Sequence, residues 1–262
     1  MSALHTAGTG MRIQQMKVDV IANNLANANT TGFKRTQMDF QDLLYQNLQR
    51  PGLETATGQQ APTGLQVGSG ARVVSTTKVF AQGGLEETSR DLDVALQGQG
   101  FFQVSLPDGS TGYTRDGSFR MSDTGALVTA EGYPVSPQIT IPPNTLSIQI
   151  GKDGGVSVLT ADSPETATQV GTITLARFPN PAGLSSEGGN LLRATPSSGQ
   201  PVVAQPGADG MASLVQRFKE RSNVDVVTEL VNLITAQRAY EVNSRAIRTS
   251  DEMLAQVSNL TR

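Results

Sequence analysis

Five apolar residues near the end of the chain, Val226, Leu233, Tyr240, Ile247 and Leu254, stand seven positions apart, with no proline or glycine between the first and the last. Leu4, Met11, Val18 and Leu25 repeat the interval at the start, and Ala7, Ile21 and Ala28 fill most of a companion row. A sustained seven-residue apolar interval is the seam of a helix lying along another helix, because it keeps one stripe on one side. The chain is therefore expected to open and close with long helices, to bring its termini together, and to use them for construction more than for chemistry. Beside the C-terminal seam the helix is small and polar, with Ala236, Asn243 and Ser250 on one side and Gln237, Ser244 and Asp251 on another. A single chain buries one stripe of such a helix, whereas many chains packed around an axis bury the rest.

Between the helices the chain reads differently. Gly 27 and Pro 13 are too many for an all-helical protein of 262 residues and suit short strands joined by turns. Strands are expected at 73–80, 92–96, 101–104, 146–150, 156–159 and 173–178, where β-branched and aromatic residues cluster. Asp108-Gly109, Asp116-Gly117, Asp123-Thr124-Gly125 and Asp153-Gly154 supply turn signals, since both central residues of an Asp-Gly hairpin tolerate positive φ. Regular turns between short strands predict an antiparallel sandwich or small barrel. The segment 39–48 reads as a short helix or turn, 52–70 as a loop or extended hairpin, and 179–210 as loop. Residues 2–29 read as one helix stopped at Thr30-Thr31-Gly32. The asparagines crowding its end, Asn23, Asn24, Asn27 and Asn29, mark either a frayed terminus or a set of amides bonding to neighbouring chains. Asn223 or Asp225 is the expected N-cap of the last helix.

The composition excludes several classes of function. The formal charge is −3, and residues 46–210 carry 9 Lys+Arg against 14 Asp+Glu, which argues against a nucleic-acid binder, normally basic on one face. Cysteine is absent, which removes disulfides, thiolate metal sites and a cysteine nucleophile. No window approaches the roughly 18 apolar residues of a membrane-crossing helix. Residues 1–10 lack the basic and apolar regions of a cleaved secretory signal. The single histidine, His5, lies in the first helix and far from any nucleophile elbow. The Asp turns lack the alternating oxygen ligands and closing Glu of a calcium loop. Neither a dinucleotide fingerprint nor a phosphate-binding Gly-Lys-Ser/Thr loop occurs. No catalytic, cofactor-binding or metal residues are assigned.

Three blocks, in order and spanning nearly the whole chain, resemble the bacterial flagellar rod and hook family. They are residues 22–35 (ANNLANANTTGFKR); residues 100–104 (GFFQV), 113–119 (YTRDGSF) and 125–129 (GALVT); and residues 222–230 (SNVDVVTEL), 237–244 (QRAYEVNS) and 247–254 (IRTSDEML). Within that family, residues 40–46 (FQDLLYQ), 61–68 (APTGLQVG) and 178–184 (FPNPAGL), together with the length, point to the distal section of the rod. One departure stands at Gln216-Arg217-Phe218-Lys219-Glu220, where the pattern favours glycine after the glutamine and an apolar residue before the glutamate.

The resemblance implies an α+β chain in a helical tube of identical subunits. N- and C-terminal helices at 1–32 and 222–262 pair as a coiled-coil-like inner layer. A connecting region with an extended loop or hairpin occupies 33–75, an outer antiparallel β domain 76–210, and a return segment 211–221. Such a tube carries torque from motor to hook and encloses the export channel. Its implied partners are itself, proximal rod proteins, hook protein, the P-ring and L-ring proteins and the flagellar type III export apparatus, with no nucleic acid and no membrane insertion. The implied location is the periplasm-spanning rod, reached without a cleaved signal peptide. The alternatives are a proximal rod or hook-type axial subunit and, from another class, a secreted carbohydrate-binding β protein. The expected assembly interface comprises Leu4, Met11, Val18, Ile21, Asn23, Asn24, Leu25, Asn27, Asn29, Phe33, Leu65, Val67, Asn223, Val226, Leu230, Leu233, Gln237, Arg238, Tyr240, Asn243, Ile247 and Leu254.

Overall fold

Helix α1 spans Ser2–Ala26 and helix α2 spans Val226–Leu260 in the computed structural model, which describes residues 2–49, 54–56, 59–60, 63–161, 163–208 and 210–260. The chain forms two compact units. One holds residues 1–26, 36–77 and 225–262; the other holds 27–35 and 78–224.

In the first unit α1 packs along α2. The helices run antiparallel: Gly10 lies against the Asn243 side chain, while Val18, further along α1, shares a groove with Gln237, further back along α2. Asp225 caps α2, its Oδ1 accepting from the Thr228 N–H at 2.9 Å, which satisfies one of the four free donors of the first turn. Helix α1 ends at Ala26, three residues before the predicted end. Asn27 then accepts from Thr30 at both its carbonyl (3.2 Å) and its side-chain oxygen (3.1 Å), closing a turn that competes with the helix.

The segment 39–48, read above as a short helix or turn, is instead extended. The strand Thr36–Asp42 pairs with Ala71–Lys78, and Tyr45–Gln49 pairs antiparallel with Leu65–Gly68. Cross-chain pairing overrides the weak local pattern of Leu43 and Leu44. A further antiparallel pair, Glu54–Ala56 with Gln59–Gln60, continues this arm. Residues 52, 53, 57, 58, 61 and 62 of the segment lie outside the described residues.

The second unit is built on antiparallel ladders. A six-stranded sheet runs in the order Ser185–Gly188, Leu191–Arg193, Thr111–Thr114, Phe101–Ser105, Leu175–Arg177, Val202–Ala204. A three-stranded sheet holds Thr145–Ile150, Gly155–Thr160 and the ten-residue strand Ser163–Thr172. Three of these strands fall in the region read as loop, because they are only three or four residues long and set among Gly and Pro. The strand Phe101–Ser105 is buried on both faces, since consecutive side chains point opposite ways. Phe102 meets Phe119 edge-on at 5.0 Å in a core with Leu96, Leu127, Ile139, Ile173 and Leu214. Phe101 points the other way into a second cluster with Tyr113, Phe178 and Phe80.

Gly109, Gly125 and Gly154 take positive φ between paired strands, as the Asp-Gly signals predict. Asp116-Gly117 is different. Gly117 is required by contact, because a β-carbon there would collide with the Val94 carbonyl. Arg217 explains the departure in the return segment: its φ is +63°, a left-handed conformation that glycine adopts at least cost. The side chain is tied to Asp91 at 2.7 Å, both residues being well exposed. Arg217→Gly should therefore leave stability within about 1 kcal/mol, trading strain for an exposed ion pair worth at most ~1 kcal/mol. Arg217→Val should lower it by about 1–3 kcal/mol. Urea unfolding followed by far-UV circular dichroism measures both.

Candidate assembly interface

The residues of α2 divide into a face that touches α1 and a face that touches nothing within the unit. Glu229 and Ala236 are fully buried, and Leu233, Asn243, Ser250 and Ile247 are half-buried. The covered stripe of α2 thus mixes small and polar residues with Leu233 and Ile247, and the helices are close enough at Gly10 that a side chain there would press on Asn243. Most of the predicted apolar seam lies outside it. Val226, Leu230 and Tyr240 are each 43% exposed, and Leu254 is 48% exposed. Val227, Val231 and Ile234, which the seven-residue spacing did not pick out, are more exposed still, and Gln237 and Arg238 are exposed as well. Five large aliphatic side chains on the first three turns of α2 therefore face outward, far more than scattered surface residues need.

On α1 the fully buried stripe is Ala7, Ile13, Ile21 and Asn24, while Leu4, Met11, Val18 and Leu25 of the predicted seam are half-buried. Ile21 belongs to both. Gln15 and Val18 from α1, with Gln237, Tyr240 and Glu241 from α2, line an open groove of about 470 Å³.

The asparagines separate into two kinds. Asn24 is 2% exposed and spends its amide within the unit, donating to the Thr36 carbonyl at 2.9 Å and accepting from the Thr36 N–H at 2.8 Å. Asn223 does the same in the other unit. Its Oδ1 accepts from the Arg35 N–H at 2.7 Å, and its Nδ2 donates to the carbonyls of Val79 (2.8 Å) and Ala81 (3.0 Å). Both amides bond within their own unit. Asn27 is half-buried in its turn, and Asn23 and Asn29 are exposed. Phe33 is half-buried with the Lys78 ammonium 5.7 Å from its ring centre. Leu65 and Val67, 54% and 37% exposed, lie on the arm beside exposed Leu44, Tyr45 and Leu48.

Sequence reasoning missed a buried clasp in the β unit. Glu220 bonds Lys34 at 2.6 Å and Arg115 at 2.8 Å, and its carboxylate also accepts from the Gly83 N–H at 2.9 Å. Lys34 donates further to the Ala81 carbonyl, and Arg115 to the carbonyls of Gly98 and Gly100. Burial holds the Lys34 ammonium and the Arg115 guanidinium below their ordinary pKa values, and Glu220 pulls both back up. The partners of Glu220 lie 186 and 105 residues away, so no local spacing announces them. Together with Asn223, the clasp fixes the chain leaving α1 and the chain entering α2 to the same few residues of the β unit.

These features find counterparts in known proteins. Residues 4–34 match the flagella basal body rod protein family, residues 95–158 the flagellar hook protein FlgE/F/G D1 domain, and residues 215–260 the flagellar basal body rod FlgEFG protein C-terminal family. The flagellar basal-body rod protein FlgG of Buchnera aphidicola subsp. Schizaphis graminum is 48% identical over 258 residues, covering 98% of this chain and 99% of that one. The proteins of the same name from Caulobacter vibrioides and Borreliella burgdorferi are 48% and 47% identical, each covering at least 99% of both chains. Similarity of this degree along the full length places the chain: it belongs to the flagellar basal-body rod protein family, whose members are structural parts and not enzymes.

Proposed function

We propose that the chain is a subunit of the distal rod, polymerising into a rigid helical tube that transmits torque from motor to hook and encloses the export channel. The observation that carries this reading is the outward apolar face of α2, Val227, Leu230, Val231 and Ile234, left open while Glu229, Leu233, Ala236 and Asn243 are covered within the chain. Equivalent helices of neighbouring copies cover that face and the half-buried α1 row Leu4, Met11, Val18 and Leu25, making a coiled-coil-like inner layer. The arm formed by Tyr45–Gln49 and Leu65–Gly68 reaches neighbouring copies and stiffens the tube. Proximal rod proteins and hook protein continue the tube at its ends, and the P-ring and L-ring proteins surround it. Export proceeds through the flagellar type III apparatus.

Deleting residues 226–262 tests the assembly reading. The cut is placed after Asn223, whose amide the β unit needs. The truncated chain is expected to keep the β unit's cooperative unfolding and to form no tubes under the electron microscope, whereas the full chain forms straight ones. Tubes from the truncated chain would overturn the proposal.

A further inference from the structure

The β unit carries a cavity that its own core leaves open. Phe80, Phe101, Phe178 and Pro181 line it together with exposed Gln99 and half-buried Arg177, and its volume is about 60 Å³. That is room for roughly four waters, or one branched aliphatic side chain. Arg115, behind it, is spent on Glu220, but Arg177 has no ionic or hydrogen-bonded partner among the described residues. The apolar surface continues beyond the mouth. Val202, 48% exposed, is the cross-strand neighbour of Arg177 on the sheet's last strand.

The chain also carries a side chain of matching size and setting. Leu44, at the root of the arm, is 89% exposed, the highest value among its large apolar residues. Asp42, two residues earlier, is exposed and acidic where the cavity's Arg177 is basic. A two-stranded arm with apolar residues on its surface is not stable alone in water and is ordered by what it packs on.

We propose that Leu44 of one subunit seats in the phenylalanine-lined cavity of a second copy, with Asp42 of the first facing Arg177 of the second. The inference rests on the self-assembly reading and adds the receptor for the arm's root. Steric fit and charge complementarity both select a second copy, since one sequence supplies the aliphatic plug, the acid, the cavity and the base.

The absence of cysteine allows a clean test. Chains carrying Leu44→Cys and chains carrying Pro181→Cys are mixed, assembled and oxidised. The expected product is a disulfide-linked dimer, visible on a non-reducing gel, from the mixture only and in tubes only. In parallel, Asp42→Arg and Arg177→Glu should each weaken assembly about ten-fold or more, and the two together should restore most of it. Circular dichroism confirms that each variant is folded, and the charge pair keeps the test alive if a cysteine variant is not. Tubes that form normally with neither cross-link nor charge rescue would overturn this contact while leaving the rod assignment standing. Failure of the unmodified chain to form tubes would overturn the assembly reading and this contact with it.

Discussion

Glu220→Ala is expected to lower the stability of the β unit by about 3–5 kcal/mol, the range for removing one partner of a buried ion pair. The Glu220 side chain is fully buried, and those of Lys34 and Arg115 are 3% and 5% exposed. Without the carboxylate, two cations stay in the interior, and the Gly83 N–H loses its acceptor. Lys34 escapes by losing its proton, but a guanidinium does not deprotonate in a protein, so the cost at Arg115 persists. The loss follows pH with a definite sign. Burial already holds the Lys34 pKa below 10.5, so just under that pH the unfolded chain binds more protons than the folded one, and this residue's contribution rises with pH. Removing Glu220 removes the one influence pulling Lys34 up and widens that window downward. Far-UV circular dichroism in urea follows the transition, which suits a chain without tryptophan. A loss below 1 kcal/mol would mean that the clasp is ornamental. Replacing all three residues with apolar ones of similar size should recover part of the deficit, because no unpaired charge then remains.

Val231→Lys with Ile234→Lys is expected to do the opposite, leaving the monomer intact and abolishing assembly. Both residues are 57% exposed, so the substitutions alter the free chain's stability by no more than about 0.5 kcal/mol each. In a tube the same positions are buried between helices, where two ammonium groups cost several kcal/mol in every subunit. Sedimentation separates the outcomes: wild-type chain pellets as polymer and the doubly substituted chain stays in solution. Normal pelleting would show that this face remains open to water in the tube.

The contrast between these residues shows what the sequence made legible. Seven-residue spacing located both helices, because a periodic stripe is a property of neighbours in the chain. It did not distinguish the stripe covered inside the chain from the one left exposed; Ala236 and Asn243 belong to the first and most of the Val226 row to the second. Asp-Gly pairs located hairpins at Gly109, Gly125 and Gly154, where the turn chemistry is local. They misled at Gly117, whose reason for being glycine is the carbonyl of Val94 on another strand. Lys34, Arg115 and Glu220 were visible only as letters of short motifs, yet their chemistry exists only once three distant segments meet. The strand Thr36–Asp42 was missed for the same reason, since its partner, Ala71–Lys78, lies on the far side of the arm.

The clasp also ties together the two stretches by which the chain enters and leaves the β unit. Residues 34 and 35, on the chain leaving α1, and residues 220 and 223, on the chain entering α2, bond to each other and to the carbonyls of 79 and 81. Parting the two stretches therefore means breaking several bonds at once, not opening a row one after another like a zipper. Bonds loaded together share the force and fail together, so such a joint yields abruptly at a high threshold instead of creeping.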